Sequence, residues 1–157
     1  MSQLRYQPGS SIPSNPYMPG INQKDPSFHL LSKEDGWGRE DRFRHGVDLF
    51  NHGCYWEAHE AWEDLWLPLE KEDPVRVFIQ GLIQGSAALL KIRLGQPKPA
   101  HSIWSRGKER LSKIRSGQPD GSFQGIQIDD FCHRIDEILQ QEDPNFKKPQ
   151  INLKDHS

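Results

Sequence analysis

The sequence predicts an all-α protein: a compact bundle of about five helices preceded by an arm that is either disordered or draped over the surface. Three observations carry this. Apolar residues across the middle of the 157-residue chain recur at spacings of three and four rather than in strict alternation. Gly53, Pro74, Gly95 and Pro97 fall where those periodic stretches would start or stop. Both ends are polar and rich in proline, so only the middle can bury enough apolar area to offset the entropy of ordering. The length suits one domain, and the expected organisation is an arm over residues 1–33, a helical bundle over 34–141 and a polar C-terminal tail over 142–157.

The arm carries Pro8, Pro13, Pro16, Pro19 and Pro26 among Ser, Asn and Gln. The first helix, over about 40–51, aligns Phe43, Val47 and Phe50, and Gly53 suits a left-handed cap just beyond it. A tight turn leads to the second helix, over about 55–69. At roughly 100° per residue this gathers Tyr55, Ala58, Trp62, Leu65, Trp66 and Leu69 on one face that must be buried. Pro68 and the charged stretch 70–73 end it. Pro74 fits the first position of a third helix, where its missing amide hydrogen costs nothing, so two antiparallel helices are implied. This third helix, over about 74–94, has the strongest periodicity, through Val75, Phe78, Ile79, Leu82, Ile83, Ala87 and Leu90, and is the candidate for the centre of the core. Gly81 and Gly85 each cost up to about 1 kcal/mol of helix propensity, so a neighbouring backbone is expected to approach closely there. A fourth helix over about 99–114 presents Ala100, Ile103, Trp104, Leu111 and Ile114. After a loop over 116–125, Ile128, Phe131, Cys132, Ile135, Ile138 and Leu139 define a fifth.

Composition narrows the function classes. Twenty Lys and Arg against 22 Asp and Glu give a net charge of -2, so no field draws the protein to phosphate backbones, and nucleic acid is not an expected partner. Cys54 and Cys132 lie far apart, outside any CxxC spacing, against a disulfide framework or thiolate zinc site. Cys54 stands near a helix start, which could lower its pKa, but has no assigned base. No secretory signal pattern is visible and no stretch is read as approaching membrane-spanning length; a cytoplasmic, soluble protein without membrane partners is expected. There is neither a Gly-x-Ser-x-Gly elbow nor a phosphate-cradling glycine loop.

The run Gly46-Val-Asp-Leu-Phe-Asn-His-Gly-Cys-Tyr-Trp-Glu-Ala-His-Glu-Ala-Trp-Glu-Asp-Leu-Trp66, followed by Phe78-Ile-Gln-Gly-Leu-Ile-Gln84, resembles domain of unknown function family 309 over approximately residues 42–139. The resemblance implies a compact helical bundle and nominates Glu57, His59, Glu60 and Glu63 as motif positions. It carries no activity, substrate or cofactor. The Gly-x-Tyr-x-Glu-Ala turn is also similar to the helix hairpin of tetratricopeptide repeats, but it occurs once, without the 34-residue recurrence that such solenoids need.

His59 and Glu63 lie one turn apart beside Tyr55 and Trp66, whereas Glu57, Glu60 and Asp64 fall toward the opposite side. A carboxylate four residues after an imidazole can hydrogen-bond it and fix its tautomer, and the same spacing lets both ligate a divalent metal. The structural reading, a hydrogen-bonded His at the core edge, outweighs the metal reading. A catalytic zinc needs a third ligand, for which His45 or His101 are the candidates. The Glu-x-x-His pairs of di-iron bundles are missing. Glu57, Glu60 and Asp64 read as a solvated face favoured by the helix dipole. Gln80 and Gln84 read as buried amides bonding Glu60 or another carboxylate of the second helix. Trp62 and Trp66 belong to the apolar stripe, while Trp56 projects away from it near Glu63, where an exposed indole would mark a partner surface or a groove lined by the arm.

The leading expectation is therefore an interaction or scaffold module, with a protein partner or as a homo-oligomer, whose groove near Trp56, His59 and Glu63 binds a partner segment or a small molecule. The alternative is a metal-dependent hydrolase with His59 and Glu63 as ligands and Glu60 as general base.

Overall fold

A computed structural model describes residues 5–154, and among them the chain forms five α-helices and one short hairpin. The helices are α1 (Arg39–Asn51), α2 (Tyr55–Trp66), α3 (Pro74–Arg93), α4 (Pro97–Ser116) and α5 (Ile128–Gln141). The all-helical bundle is as expected. The hairpin, β1 (Ser122–Phe123) with β2 (Ile126–Gln127), was not. Gln124 and Gly125 both take positive φ, which turns the chain between two strands too short to show alternation in sequence.

Local signals account for most helix ends. Beyond α1, Gly53 has φ +80 and its N–H bonds the Phe50 carbonyl, while Cys54 N–H bonds that of Leu49, a left-handed termination that a side chain would strain. Asp73 caps α3 by accepting from Val75 N at 2.9 Å, with Pro74 at the first position. Helix α2 stops at Trp66, three residues short of the expected end, because Pro68 cannot donate to continue it.

Helix α3 is the centre of the packing and touches α2, α4 and α5. A Cβ on Gly81 would sit 2.7 Å from Leu111 Cγ and 3.2 Å from the Gly107 carbonyl, so α3 and α4 cross backbone to backbone. Gly85 differs from expectation: a Cβ there would meet Ile135 and Phe131 side chains of α5, not a neighbouring backbone. Gly46 plays the corresponding part between α1 and α2, since the Trp62 indole lies where its Cβ would be, within 2.7 Å. Phe50 joins the layers, packing on Tyr55, Trp62 and Phe131. At 20 residues α3 is long and apolar enough to cross a membrane by length and composition, contrary to the sequence reading; most of it is buried inside the bundle.

The polar ends are pinned. In the segment expected to be a tail, Phe146 and Ile151 are buried, Arg93 stacks on Phe146, and Asn51 holds the backbone of Ile151 through both its amide groups. Two apolar side chains seat this segment, too few to register in composition.

Candidate functional site

The candidate residues sit where α1 and α2 meet the N-terminal arm. Asp41, His45 and Asp48 recur at spacings of four and three on α1, so they form one polar stripe, and Glu57 on α2 continues it. Each takes a main-chain group of the arm. Tyr6 N–H donates to Asp41 at 2.8 Å, Gly9 N–H to Asp48 at 2.7 Å and Tyr17 N–H to Glu57 at 3.0 Å. The Tyr6 hydroxyl also donates to Asp48. His45, 1% exposed, lies 2.8 Å through Nε2 from the Ser11 carbonyl, while Leu31 N–H approaches its Nδ1 at 3.5 Å. A carbonyl only accepts and an N–H only donates, so this pair of partners selects the neutral tautomer protonated on Nε2.

Glu57 overturns its expected place on a solvated face. It is 5% exposed, because the arm crosses over it. Burial pushes its carboxyl pKa up, against the lowering effect of the Tyr17 N–H bond, and its Oε1 is buried with no partner. Trp56, expected to be exposed, is half-buried: Tyr17 packs edge-on against it at 5.3 Å, and its Nε1 is also buried and unpartnered. The groove expected around Trp56 is therefore filled by the chain's own arm.

His59 and Glu63 form the pair expected of them, Nε2 to Oε2 at 2.8 Å, with the imidazole edge-on to Trp56. They are 29% and 43% exposed and lie outside the arm contacts. Glu60 is half-buried beside them, and Asp64 approaches Arg42 at 3.8 Å. Gln84 accepts from Arg110 of α4 rather than bonding a carboxylate of α2, and Gln80 is half-buried on the same helix. The polar seam expected between α2 and α3 thus runs to α4, because the long Arg110 side chain reaches the amide first.

Neither candidate third metal ligand reaches His59. His45 is committed to the arm, and His101 pairs with Glu142 at 3.0 Å. Among the described residues no group of three or more His, Cys, Asp or Glu is placed to hold a metal ion. Cys54 is not activated at its helix start: burial first, then the Glu57 charge, pushes its thiol up to about 12. A separate cleft of about 420 Å3 opens between α1, the end of α2, α3 and the C-terminal segment, over Phe43, Leu65, Leu69 and Ile79; none of its lining residues belongs to the candidate cluster.

Sequence reasoning missed the α1 stripe and its arm partners Tyr6, Gly9 and Ser11, and the docking of Tyr17 on Glu57 of α2. The available signal was three polar residues at helical spacing on a helix otherwise read by its apolar face, next to an arm carrying aromatics. No curated protein and no solved structure matches the chain. The family described as Domain of unknown function (DUF309) does match, over residues 43–103, a span shorter than the resemblance implied and ending inside α4. The matched span carries Glu57, His59, Glu60 and Glu63.

Proposed function

We propose that the protein is an interaction module whose α1–α2 face holds a turn-rich polypeptide segment by its backbone, and that its own arm occupies this face as a built-in ligand. The single observation behind this is that three carboxylates of the bundle, Asp41, Asp48 and Glu57, each accept an arm N–H, while His45 brackets a carbonyl and an N–H from two separate stretches of the same arm. Main-chain contacts supply affinity that is tolerant of sequence. Selectivity then falls to the side chains that are seated, here Tyr6 against His45 and Tyr17 against Trp56. An arm that seats on a neighbouring copy would use the same contacts and give a concentration-dependent dimer.

The test is to insert a protease site between Lys33 and Trp37, cut the folded protein there, and follow the released arm by fluorescence anisotropy. The fragment should stay bound and rebind saturably, with affinity lowered by Asp48→Ala. A nicked protein that keeps its helical signal but shows no measurable affinity for the fragment would sink the proposal.

A further inference from the structure

The arm does more than lie on α2, because it folds back on itself just after Tyr17. Met18 N–H bonds Asn22 Oδ1, Asn22 Nδ2 returns to the Pro16 carbonyl, and Ile21 N–H closes onto the Met18 carbonyl. Asp25 then ties the loop shut, accepting from the backbone and hydroxyl of both Ser14 and Ser27. The result is a fixed return path that delivers Lys24 back to Tyr17. Its ammonium lies 5.4 Å from the Tyr17 ring centre and 5.6 Å from that of Trp56.

Those two rings meet at 82°, so they form two walls of a corner rather than a stack. Beside the corner is the buried Glu57, whose Oε2 is used by Tyr17 N–H and whose Oε1 has no partner. Two ring faces and a buried carboxylate suit a cation that is weakly hydrated. A primary ammonium such as that of Lys24 needs three hydrogen bonds, and ring faces supply none of them. A methylated ammonium gives up less hydration and presents carbon surface to both rings.

We propose that Tyr17, Trp56 and Glu57 form a binding corner for a methylated or quaternary ammonium group, occupied in this structure by the chain's own Lys24 and open to a ligand when that side chain swings out. The proposal rests on the docked arm, because Tyr17 supplies one wall. Lys24 is exposed and lies over the two rings with the Glu57 charge in the neighbourhood, so it can leave without disturbing the loop that Asp25 closes. The chemistry is shared by a choline-like small molecule and a trimethylated lysine side chain.

The experiment uses isotopically labelled full-length protein and its Lys24→Met variant, following the Trp56 indole N–H and the Tyr17 amide by NMR. Choline and trimethyllysine are titrated separately, with the uncharged tert-butyl analogue of choline as control. Both trimethyl probes should move the Trp56 signal saturably, more tightly in Lys24→Met than in the native chain, and the tighter of the two names the source. Tyr17→Ala, which lies in the arm and leaves the bundle intact, should weaken binding about fivefold or more. Glu57→Gln should weaken the charged probes and not the uncharged one. If the Tyr17 amide stays in its docked position and neither trimethyl probe saturates, or the uncharged analogue binds equally well, the corner is not an ammonium site and the backbone-holding face stands. If the Tyr17 amide behaves as free chain before any probe is added, both proposals fall together.

Discussion

The crossing of α3 and α4 and the docking of the arm on α1–α2 are two interfaces of opposite chemistry in one small protein. The first is made by leaving side chains out: Gly81 and Gly107 bring two backbones together around Leu111, with apolar surfaces on either side. The second is made by burying carboxylates under main-chain N–H groups: Asp48 accepts from Gly9, and Glu57 accepts from Tyr17 through Oε2 while its Oε1 has no partner. Apolar packing of the first kind is indifferent to pH and gives way only when the whole core does. A contact built from individual hydrogen bonds, each worth about 1 kcal/mol net and more when charged, can open locally while the bundle stays folded. The two regions therefore differ in what should open them: the first gives way only with the fold, and the second is expected to open before it.

The sharpest way to break this contrast is Gly81→Val. Its branched side chain would have to displace Leu111 and the Gly107 carbonyl, and overpacking against a backbone should cost about 3 kcal/mol. A lower urea midpoint with unchanged slope is the expected readout. Asp48→Ala comes next. It strips the acceptor from Gly9 N–H and the Tyr6 hydroxyl, a loss of about 1–3 kcal/mol to arm docking. Fast amide exchange at Tyr6 and Gly9 should follow, with little movement of the urea midpoint. A midpoint that fell as far as that of Gly81→Val would mean that arm and bundle fold as one unit.

Acidification should loosen only the arm. Burial lowers the His45 pKa, while the hydrogen bond to the Ser11 carbonyl and then the Asp48 charge pull the other way. The undocked imidazole takes a proton near its ordinary value of 6.5 and the docked one resists. Docking is therefore at full strength from this source above that pH, and it weakens by up to about 1.4 kcal/mol per unit as pH falls through the window between the two values. Glu57 acts in the opposite sense. Its raised pKa favours the protonated docked form, a contribution present below its ordinary 4.5 and lost as pH rises. Glu57→Gln should therefore keep the Tyr17 contact and hold the arm at neutral pH at least as firmly as the native residue. Protection of the Leu31 amide across pH 5 to 8, roughly the range over which an imidazole titrates, checks the His45 effect; His45→Gln should flatten it.

The difference between the interfaces also explains what the sequence disclosed. The bundle is written in a repeated pattern, so Phe78, Leu82 and Leu90 announce a buried helix several times over, and Gly81 draws notice as a poor helix former within it. The pair His59–Glu63 is likewise local, since spacing alone brings the groups together. Arm contacts join residues 14 to 42 positions apart, and no periodicity links Tyr6 to Asp48 or Ser11 to His45. Glu57 was misplaced for the same reason: its position on the helix is right for water until a strand from 40 residues away covers it. Proline-rich composition points to weak self-structure, but it is silent about whether such a segment finds partners on a neighbouring surface.

The smallest expected effect belongs to the feature most legible in the sequence. His59 and Glu63 are both partly exposed and sit outside the arm contacts, so His59→Ala should cost the bundle only about 0.3–0.5 kcal/mol, typical of a helical pair four residues apart. A metal site would behave otherwise, because an ion bound only to the folded state stabilises it in proportion to the logarithm of its concentration. Thermal melts of the native chain and of His59→Ala with and without excess zinc separate the two cases. The pair alone predicts the same small offset between the curves in both conditions. A midpoint that rises with zinc in the native chain and not in the variant would instead make α2 a metal-binding helix, and would move the functional surface from beneath the arm to the side of α2 that the arm leaves open.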